Sequence, residues 1–374
     1  MGIAASAPQT SRVPLPTGAS IEWYRTKLPP GVSEAVHAKS DILGAVQVVG
    51  WLGMLAAAAA SAVRFHSEGR PWLSLLFVML YGMQANFAIN GMHELGHGHV
   101  FRTVRLNGLF LRLISFIGVL HPDMFFSSHL RHHRYTQHAP LDLENPMPLR
   151  ITLRGFLLFG FVNLTGMLQI WAQTLRAAFG LYPTGHLGWL PEWEAACYPP
   201  ELPEARDPAR RWAQLLVLGH AAVAAASLAT AGEAVPYLVP FLLSCGPFLN
   251  GWLFFLCNST QHVGLTPGTP ASPVADFRLN SRTFRLVGTP VLGHLVEFWY
   301  WQMNYHIEHH MYAAVPCYRL SALHEAIQHD LPPTPNGLRE LWVVICNVLA
   351  RQAADPSWVQ PVALPSRPAK PKAS

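Results

Sequence analysis

The sequence has few charged residues for its length. Only 13% of its 374 residues are Asp, Glu, Lys or Arg, whereas a soluble domain usually carries about 25%. A soluble chain of this length would have difficulty covering its surface with so little charge, but lipid would solvate much of the surface of a membrane protein. The low charge therefore favours an integral membrane protein.

Cysteine is also scarce, and the five cysteines form no motif. They lie far apart in sequence, and none belongs to a Cys-x-x-Cys pair. This pattern indicates neither a disulfide framework nor a thiolate metal site. The net charge of +5 is modest, and no basic run with interleaved aromatic residues occurs. Nucleic-acid binding is therefore not expected.

Long apolar runs predict four membrane-spanning helices, each near the length of about 20 residues that the hydrocarbon core requires. The predicted spans are residues 42–63, 72–91, 214–231 and 235–257. Two weaker apolar stretches, 106–120 and 156–171, are short or contain polar side chains, and we expect them to be interfacial or re-entrant. The first forty residues lack the apolar core of a cleavable signal peptide, so we expect the first span to be an uncleaved anchor.

The positions of the basic residues predict the orientation in the membrane. With a cytosolic N-terminus, the outer loops contain only Arg64 and Arg70 of the 26 Lys and Arg residues. This positive-inside pattern predicts a multi-pass protein with both termini in the cytosol. We divide the chain into a cytosolic N-terminal segment (1–41), a membrane domain (42–330), and a C-terminal cytosolic helix with a disordered tail (331–374).

Histidine, in contrast, is abundant, with 19 in the chain. Eight of them form one HxxxH motif and two HxxHH motifs, at His93 and His97, at His129, His132 and His133, and at His306, His309 and His310. Residues at i, i+3 and i+4 share one face of a helix. An HxxxH pair therefore aims two imidazoles at one point, and an HxxHH motif adds a third ring that is aimed at a neighbouring point. Three such elements can surround two metal ions.

The predicted topology gives an independent test of a shared metal site. A single HxxxH motif is weak evidence, because surface or capping histidines produce it by chance. Two predicted spans, an even number, separate the second motif from the third, and no full span separates the first from the second. All three motifs therefore reach the cytosolic face, as the ligands of one site must.

The motifs and their neighbours resemble the membrane fatty acid desaturase family over about residues 72–330. The matching segments are Asn-Gly-Met-His-Glu-Leu-Gly-His-Gly-His, His-His-Arg-Tyr-Thr and Asn-Tyr-His-Ile-Glu-His-His-Met-Tyr. The resemblance implies an all-α fold, in which a bundle of four transmembrane helices with interfacial helices supports a cytosolic helical cap with a histidine-ligated di-metal site. It also implies that His262 is a ninth ligand, and that Asn258 contacts one metal through water.

The resemblance also names the metal and the reaction, because imidazole alone suits several transition metals. It implies two irons and an oxygen-dependent desaturase that acts on a fatty-acyl or lipid chain, with no catalytic residue beyond the metal centre. The sequence has no flavin or nicotinamide motif and no haem-binding His-Pro-Gly-Gly stretch. The electron donor would therefore be a separate protein, such as a ferredoxin or a cytochrome b5 with its reductase. His306 stands where front-end desaturases have Gln, so the chain is more similar to a stand-alone acyl or sphingolipid-type desaturase.

Four acidic residues lie close to the motifs in sequence. A metal-bound imidazole usually donates its second N–H to a carboxylate or a carbonyl. Glu94, Asp142, Glu144 and Glu308 are candidates for that role, although ordinary surface acids would give the same pattern.

Other functions stay compatible with the sequence. The same superfamily includes hydroxylases and ketolases, so the motifs do not fix the outcome of the reaction. A histidine-rich membrane metal transporter would need ionisable residues inside its spans, and His220 is the only candidate there. A membrane zinc hydrolase would use three protein ligands, which is fewer than the eight or nine histidines available.

Overall fold

The computed structural model describes residues 21–138, 141–142, 144, 153–181, 203–230, 235–267, 274–286 and 290–365, and these residues are mostly α-helical. In chain order, the elements are β1 Glu22–Tyr24, α1 Pro30–His37, α2 Asp41–Ser67, α3 Pro71–Ala85, α4 Ala88–His97, α5 Val104–Ile117, α6 Pro122–Tyr135, α7 Leu153–Phe161, α8 Leu164–Ala178, α9 Pro203–Thr230, α10 Val235–Cys245, α11 Trp252–Asn258, β2 Val274–Asp276, α12 Phe277–Asn280, α13 Pro290–Trp299, α14 His306–Met311, α15 Leu320–Ile327 and α16 Gly337–Ala354.

Three helical segments are long and apolar enough to cross a membrane, namely Asp41–Ser67, Pro71–His97 and Arg206–Ala229. The first two contain the predicted spans 42–63 and 72–91. The third covers residues 214–229 of the predicted span 214–231, whose last residue lies outside the described residues. The second segment consists of α3 and α4, which are interrupted at Asn86 and Phe87. The Asn86 side chain donates to the carbonyl oxygens of Gly82 and Leu249, and so satisfies backbone groups at the interruption.

The fourth predicted span, 235–257, is not one continuous helix. α10 ends at Cys245, a 3₁₀ turn covers Gly246–Phe248, and α11 starts at Trp252. Pro247 explains the interruption, because proline has no N–H to donate and its ring disturbs the preceding turn. The described helices supply three spans, or four if the bent pair α5 and α6 is counted as one.

The two weaker apolar stretches both form interrupted helices. α5 and α6 follow each other at an angle of 109°, so that α6 turns back and packs against α4. α7 and α8 are separated at Val162 and Asn163, and the Asn163 side chain caps α8 by accepting from the Gly166 N–H at 3.0 Å. Neither stretch is a single straight helix of spanning length.

Large apolar side chains face outwards along the long helices. Ile42 is 77% exposed, Trp72 80%, Leu218 69% and Tyr237 71%. Apolar patches of this kind are rare on soluble monomers because exposing them to water is unfavourable. Lipid would solvate these side chains, in agreement with the low charge of the sequence.

The interior brings the first and second histidine motifs close together. Gly96 lies between the two motif residues of α4, directly against the ring of Phe126 on α6, so a Cβ at this position would overlap that ring. The parallel pair of short strands, β1 with β2, adds the N-terminal segment to the same region. The domain boundaries at 41 and 330 stay a prediction, and residues 231–234, where the third predicted span meets the fourth, lie outside the described residues.

Candidate metal centre

Nine histidines gather into two clusters. Within each cluster, one ring nitrogen from every member lies within 4.8 Å of those of the others. Cluster A consists of His93, His97, His129, His133 and His309, and cluster B consists of His132, His262, His306 and His310. The structure therefore brings together the eight motif histidines and also His262, which no spacing rule had singled out.

Helical periodicity explains how the motifs divide between the clusters. In the second motif, His129 and His133 are one turn apart and enter cluster A, whereas His132 enters cluster B. The third motif divides in the opposite sense, because its i+3 residue, His309, enters cluster A and its other two residues enter cluster B. As the spacing predicts, each HxxHH motif supplies a pair of rings to one point and a single ring to a neighbouring point.

The ring nitrogens are as close to one another as the ligands of one small cation. A zinc ion bonded to imidazole at about 2.0–2.1 Å would hold adjacent nitrogens about 2.9–3.4 Å apart, for right or tetrahedral angles. The corresponding Nε2–Nε2 distances are 3.3 Å for His97–His129, 3.1 Å for His133–His309, 2.8 Å for His262–His306 and 3.1 Å for His306–His310. The spacing fits one ion in each cluster.

Burial favours the neutral, metal-binding form of several of these imidazoles. Removal from water lowers the pKa of His306, His309 and His310 well below the ordinary value, and neighbouring histidines lower it further. Burial, with repulsion from His132, lowers the pKa of His262 to about 3. Rings that are neutral at pH 7 can donate a lone pair without first losing a proton.

Two carboxylates hold the outer ring nitrogens of cluster A. Glu94 accepts from Nδ1 of His93 at 2.9 Å and lies 3.5 Å from Nδ1 of His309. Glu144 accepts from Nδ1 of His129 at 3.1 Å and from the Ser128 hydroxyl at 2.9 Å. Burial raises the pKa of Glu144 to about 7. These contacts direct Nε2 of each ring towards the cluster.

The outer partners of cluster B are more varied. Asp142 accepts from Nδ1 of His132 at 3.0 Å. Although burial opposes it, this contact with His132 holds the pKa of Asp142 below its usual value. The backbone carbonyl of Asn280 accepts from Nδ1 of His262 at 2.7 Å, and the Thr136 hydroxyl lies 3.4 Å from Nδ1 of His310.

Glu308, the fourth acidic candidate, contacts other residues. It accepts from Nδ1 of His324 and from the Thr283 hydroxyl, and Thr283 also accepts from the backbone N–H of Ile307 at 3.1 Å. These contacts connect α14 with the segments that carry His324 and Thr283. Among the described residues, no clustered histidine donates a hydrogen bond to Glu308. A polar cavity of about 460 Å³ is lined in part by His324 and Arg285.

Three partners in this region carry no sequence signal. His324, Thr283 and Asn280 belong to no motif, and only the tertiary fold brings Asn280 to His262 and the other two to Glu308. Asn258 ends α11 four residues before His262, and no hydrogen bond joins its side chain to either cluster among the described residues. Its water-mediated contact stays a prediction.

The donor set fits a pair of transition-metal ions. The rings of the two clusters lie side by side, with 4.6 Å between the centroids of His133 and His310. Imidazole donors suit iron, zinc, copper and nickel, and the outer partners described above are typical of metal-bound histidines. The structure thus supports the binding of a transition metal by each cluster.

A family model described as fatty acid desaturase matches residues 70–342. The match covers more than half of the chain and includes every histidine of both clusters. No curated protein matches the chain.

Proposed function

The chain belongs to the fatty acid desaturase family, and we propose that it is an oxygen-dependent desaturase that introduces a double bond into a fatty-acyl or lipid chain. Membership makes it an oxidoreductase of a membrane-bound family, whose substrates are expected to be lipid or acyl chains. The observation that carries the finer proposal is the pair of adjacent clusters formed by nine buried imidazoles. A nitrogen-rich pocket for two ions supports a histidine-ligated di-iron centre, because imidazole is a suitable ligand for iron.

In this proposal each cluster holds one iron, and Asn258 completes cluster B through a water molecule. The iron pair, when bound, would supply the activation of O2 and the removal of two hydrogens from adjacent carbons. The chain itself would hold the irons and exclude water, and would position the substrate. Glu94, Glu144 and Asp142 fix the tautomers of three ligand rings.

An apolar surface for the substrate is available next to cluster A. Phe125 stacks on His129 with 4.8 Å between the ring centroids and 16° between the planes. Phe126 lies at the edge of the same imidazole and packs against Gly96. Rings that are packed in this way can hold one C–C segment of an acyl chain near the metal pair, which is the main contribution of a protein to such chemistry.

The proposal also places the active site and both termini on the cytosolic side. The orientation rests on the positive-inside distribution of Lys and Arg. A cytosolic site can receive electrons from a soluble or membrane-anchored carrier protein, such as a ferredoxin or a cytochrome b5 with its reductase.

Metal transport is the weaker interpretation. His220, the ionisable candidate inside a span, lies 2.9 Å from the Ser244 hydroxyl and 3.1 Å from the carbonyl oxygen of Phe116. Its two ring nitrogens are thus engaged in helix packing and do not line a path for ions. Hydroxylation and ketone formation would use the same site, and the experiment below separates them from desaturation.

The test is the lipid profile, by mass spectrometry, of a host that expresses the protein. We expect a lipid or acyl product that has lost two hydrogens and that does not accumulate with a variant combining His132→Ala and His309→Ala. A product that has gained one oxygen would instead identify a hydroxylase. An unchanged lipid profile, with the protein expressed and loaded with iron in the membrane, would contradict both the desaturase and the hydroxylase function.

A further inference from the structure

A stack of aromatic rings connects cluster B with the protein surface. The indole of Trp23 lies on the ring of Phe277, with 4.0 Å between centroids and 5° between planes. Phe277 in turn lies 5.2 Å from the imidazole of His310, at an angle of 31°. Trp23 is partly exposed, whereas Phe277 and His310 are 1% and 2% exposed. Three π-systems in contact therefore lead from solvent to a ring of cluster B.

Backbone pairing holds Trp23 in this position. Trp23 pairs with Ala275 in the parallel ladder of β1 and β2, two residues before Phe277. The indole N–H also donates to the backbone carbonyl of Arg134 at 2.9 Å, next to the end of α6. The tryptophan is thus fixed to both the strand that leads into Phe277 and the helix that carries the second histidine motif.

A charge network holds the same strands together. Arg278, the neighbour of Phe277, forms ion pairs of 2.7 Å with Asp276 and 2.6 Å with Asp330, and it is 3% exposed. Its guanidinium lies 4.0 Å from the ring centre of Tyr24, whose hydroxyl donates to Asp330 at 2.6 Å.

The surroundings of Trp23 are basic. Two exposed basic residues, Arg25 and Lys27, lie within four residues of Trp23 in the sequence, and a third, Arg134, is the residue whose carbonyl accepts its hydrogen bond. Glu22 is the one exposed acidic residue within the same four residues of Trp23. Such an excess of positive charge attracts acidic proteins and speeds their docking.

Phe125 offers a useful comparison, since it also stacks on a clustered histidine and is partly exposed. It follows Met124 and precedes Phe126, and the nearby Asp123 is paired with Arg112 at 2.9 Å. The neighbours of Phe125 are thus apolar, and the nearby Asp123 is neutralised by its ion pair. Such surroundings suit an acyl chain better than a charged carrier protein.

We propose that the region of Trp23, Arg25, Lys27 and Arg134 docks an acidic one-electron carrier protein, and that electrons pass from Trp23 through Phe277 to cluster B. The inference rests on the proposed function. Each transfer oxidises the carrier by one electron and reduces the metal pair by one, and no bond forms or breaks. Two transfers, with one O2 and two protons, balance one desaturation that releases two waters.

The route is tested by following the oxidation of reduced [2Fe–2S] ferredoxin by the iron-loaded, full-length chain in detergent, without O2 or lipid. We expect Trp23→Leu to slow ferredoxin oxidation several-fold, because the aromatic ring between the docking surface and Phe277 is removed. Trp23→Phe keeps a ring and should be close to wild type. Dithionite needs no docking surface and should reduce wild type and Trp23→Leu at equal rates. Trp72→Leu is the matched control, because it makes the same change at a tryptophan that is 80% exposed and far in sequence from the motifs, and it should oxidise ferredoxin at the wild-type rate.

The docking surface is tested by the binding of oxidised ferredoxin to the immobilised full-length chain. The combination of Arg25→Glu with Lys27→Glu should weaken binding by about tenfold and reduce its dependence on salt. Both positions are exposed, so the fold should survive. Arg339→Glu with Arg351→Glu makes the same charge change at exposed positions of α16 and should leave binding unchanged.

Three results would overturn the proposal. They are ferredoxin oxidation at the wild-type rate by Trp23→Leu, an equal slowing in Trp72→Leu, and unchanged ferredoxin binding by the Arg25→Glu and Lys27→Glu variant. Failure of the proposed function gives a different pattern, in which ferredoxin oxidation depends on Trp23 but no lipid product forms when O2 and lipid are added.

Discussion

Clusters A and B are both built from imidazoles, but they differ in the number of rings and in the groups that contact the outer ring nitrogens. Cluster A has five imidazoles, and two carboxylates, Glu94 and Glu144, hold its outer ring nitrogens. Cluster B has four, with one carboxylate, Asp142, and a backbone carbonyl from Asn280. Carboxylates make imidazole a stronger donor than neutral partners do. The two clusters are therefore inequivalent as candidate metal sites, since cluster A has one more imidazole and cluster B lies beside Phe277 and Trp23.

The largest expected effect tests whether both clusters are essential. His309→Ala removes a ring from cluster A, and His132→Ala removes one from cluster B. We expect each to abolish lipid product, because the reaction needs both metals, while the helical content in circular dichroism stays the same. His99 belongs to neither cluster, so His99→Ala should retain activity. Near-wild-type product from either of the first two variants would remove that cluster from the catalytic centre.

The next effect tests the outer carboxylates one cluster at a time. Glu144→Gln and Asp142→Asn each replace the carboxyl partner of a ring Nδ1 with an amide of the same size, and loss of such a partner usually costs about 10–100-fold in metal affinity or activity. We expect Glu144→Gln to weaken one of two iron-binding steps and Asp142→Asn to weaken the other, as measured by competition with a chelator. Equal weakening of both steps by each variant would show that the clusters bind metal as one unit.

A packing change should disturb cluster A more than cluster B. Gly96→Ala places a Cβ in the ring of Phe126, which forces α4 away from α6, and overpacking of this kind typically costs about 1–3 kcal/mol. Thermal unfolding should show the loss, and Phe126→Leu should restore part of it. Gly108 has open space around it, so Gly108→Ala is the control. A Gly96→Ala protein as stable as wild type would mean that the two helices are not held in close contact.

The smallest expected effect concerns pH. The folded pKa values of His262, His306 and His310 lie below the ordinary value of 6.5, so the unfolded chain takes up protons first on acidification. Stability should then fall as the pH drops below about 6.5. Glu144 and His132 act in the opposite direction, because their raised pKa values favour the fold at low pH, but these two groups are outweighed by the larger number of histidines with lowered pKa values. Thermal unfolding of the metal-free protein between about pH 7 and about pH 5 should show a falling midpoint, and a rising midpoint would contradict this.

Local periodicity made part of the centre predictable. The division of each HxxHH motif between two points follows from the geometry of a single helix turn, so the eight motif histidines could be assigned to one centre from sequence. The contacts of Glu308 could not be predicted in the same way. Its partners His324 and Thr283 lie 16 and 25 residues away, and only tertiary packing brings them together.

Hydropathy predicted the membrane helices only where no residue interrupts the backbone. The spans that start near Asp41, Pro71 and Arg206 are present as long helices, but Pro247 breaks the fourth run, which hydropathy alone treats as continuous. The N-terminal segment was expected to be a simple cytosolic extension. Trp23 instead pairs with a strand some 250 residues later, and a single three-residue strand has too little pattern to predict that.

The most direct test of the account is the number of irons that one chain binds. Full-length protein, purified without metal, would be titrated anaerobically with Fe²⁺ and analysed for bound iron after removal of the excess. The account predicts saturation at two ions per chain, and at one ion in His132→Ala. Saturation of the wild-type chain at one ion, or the absence of specific binding, would contradict a centre built from two adjacent histidine clusters.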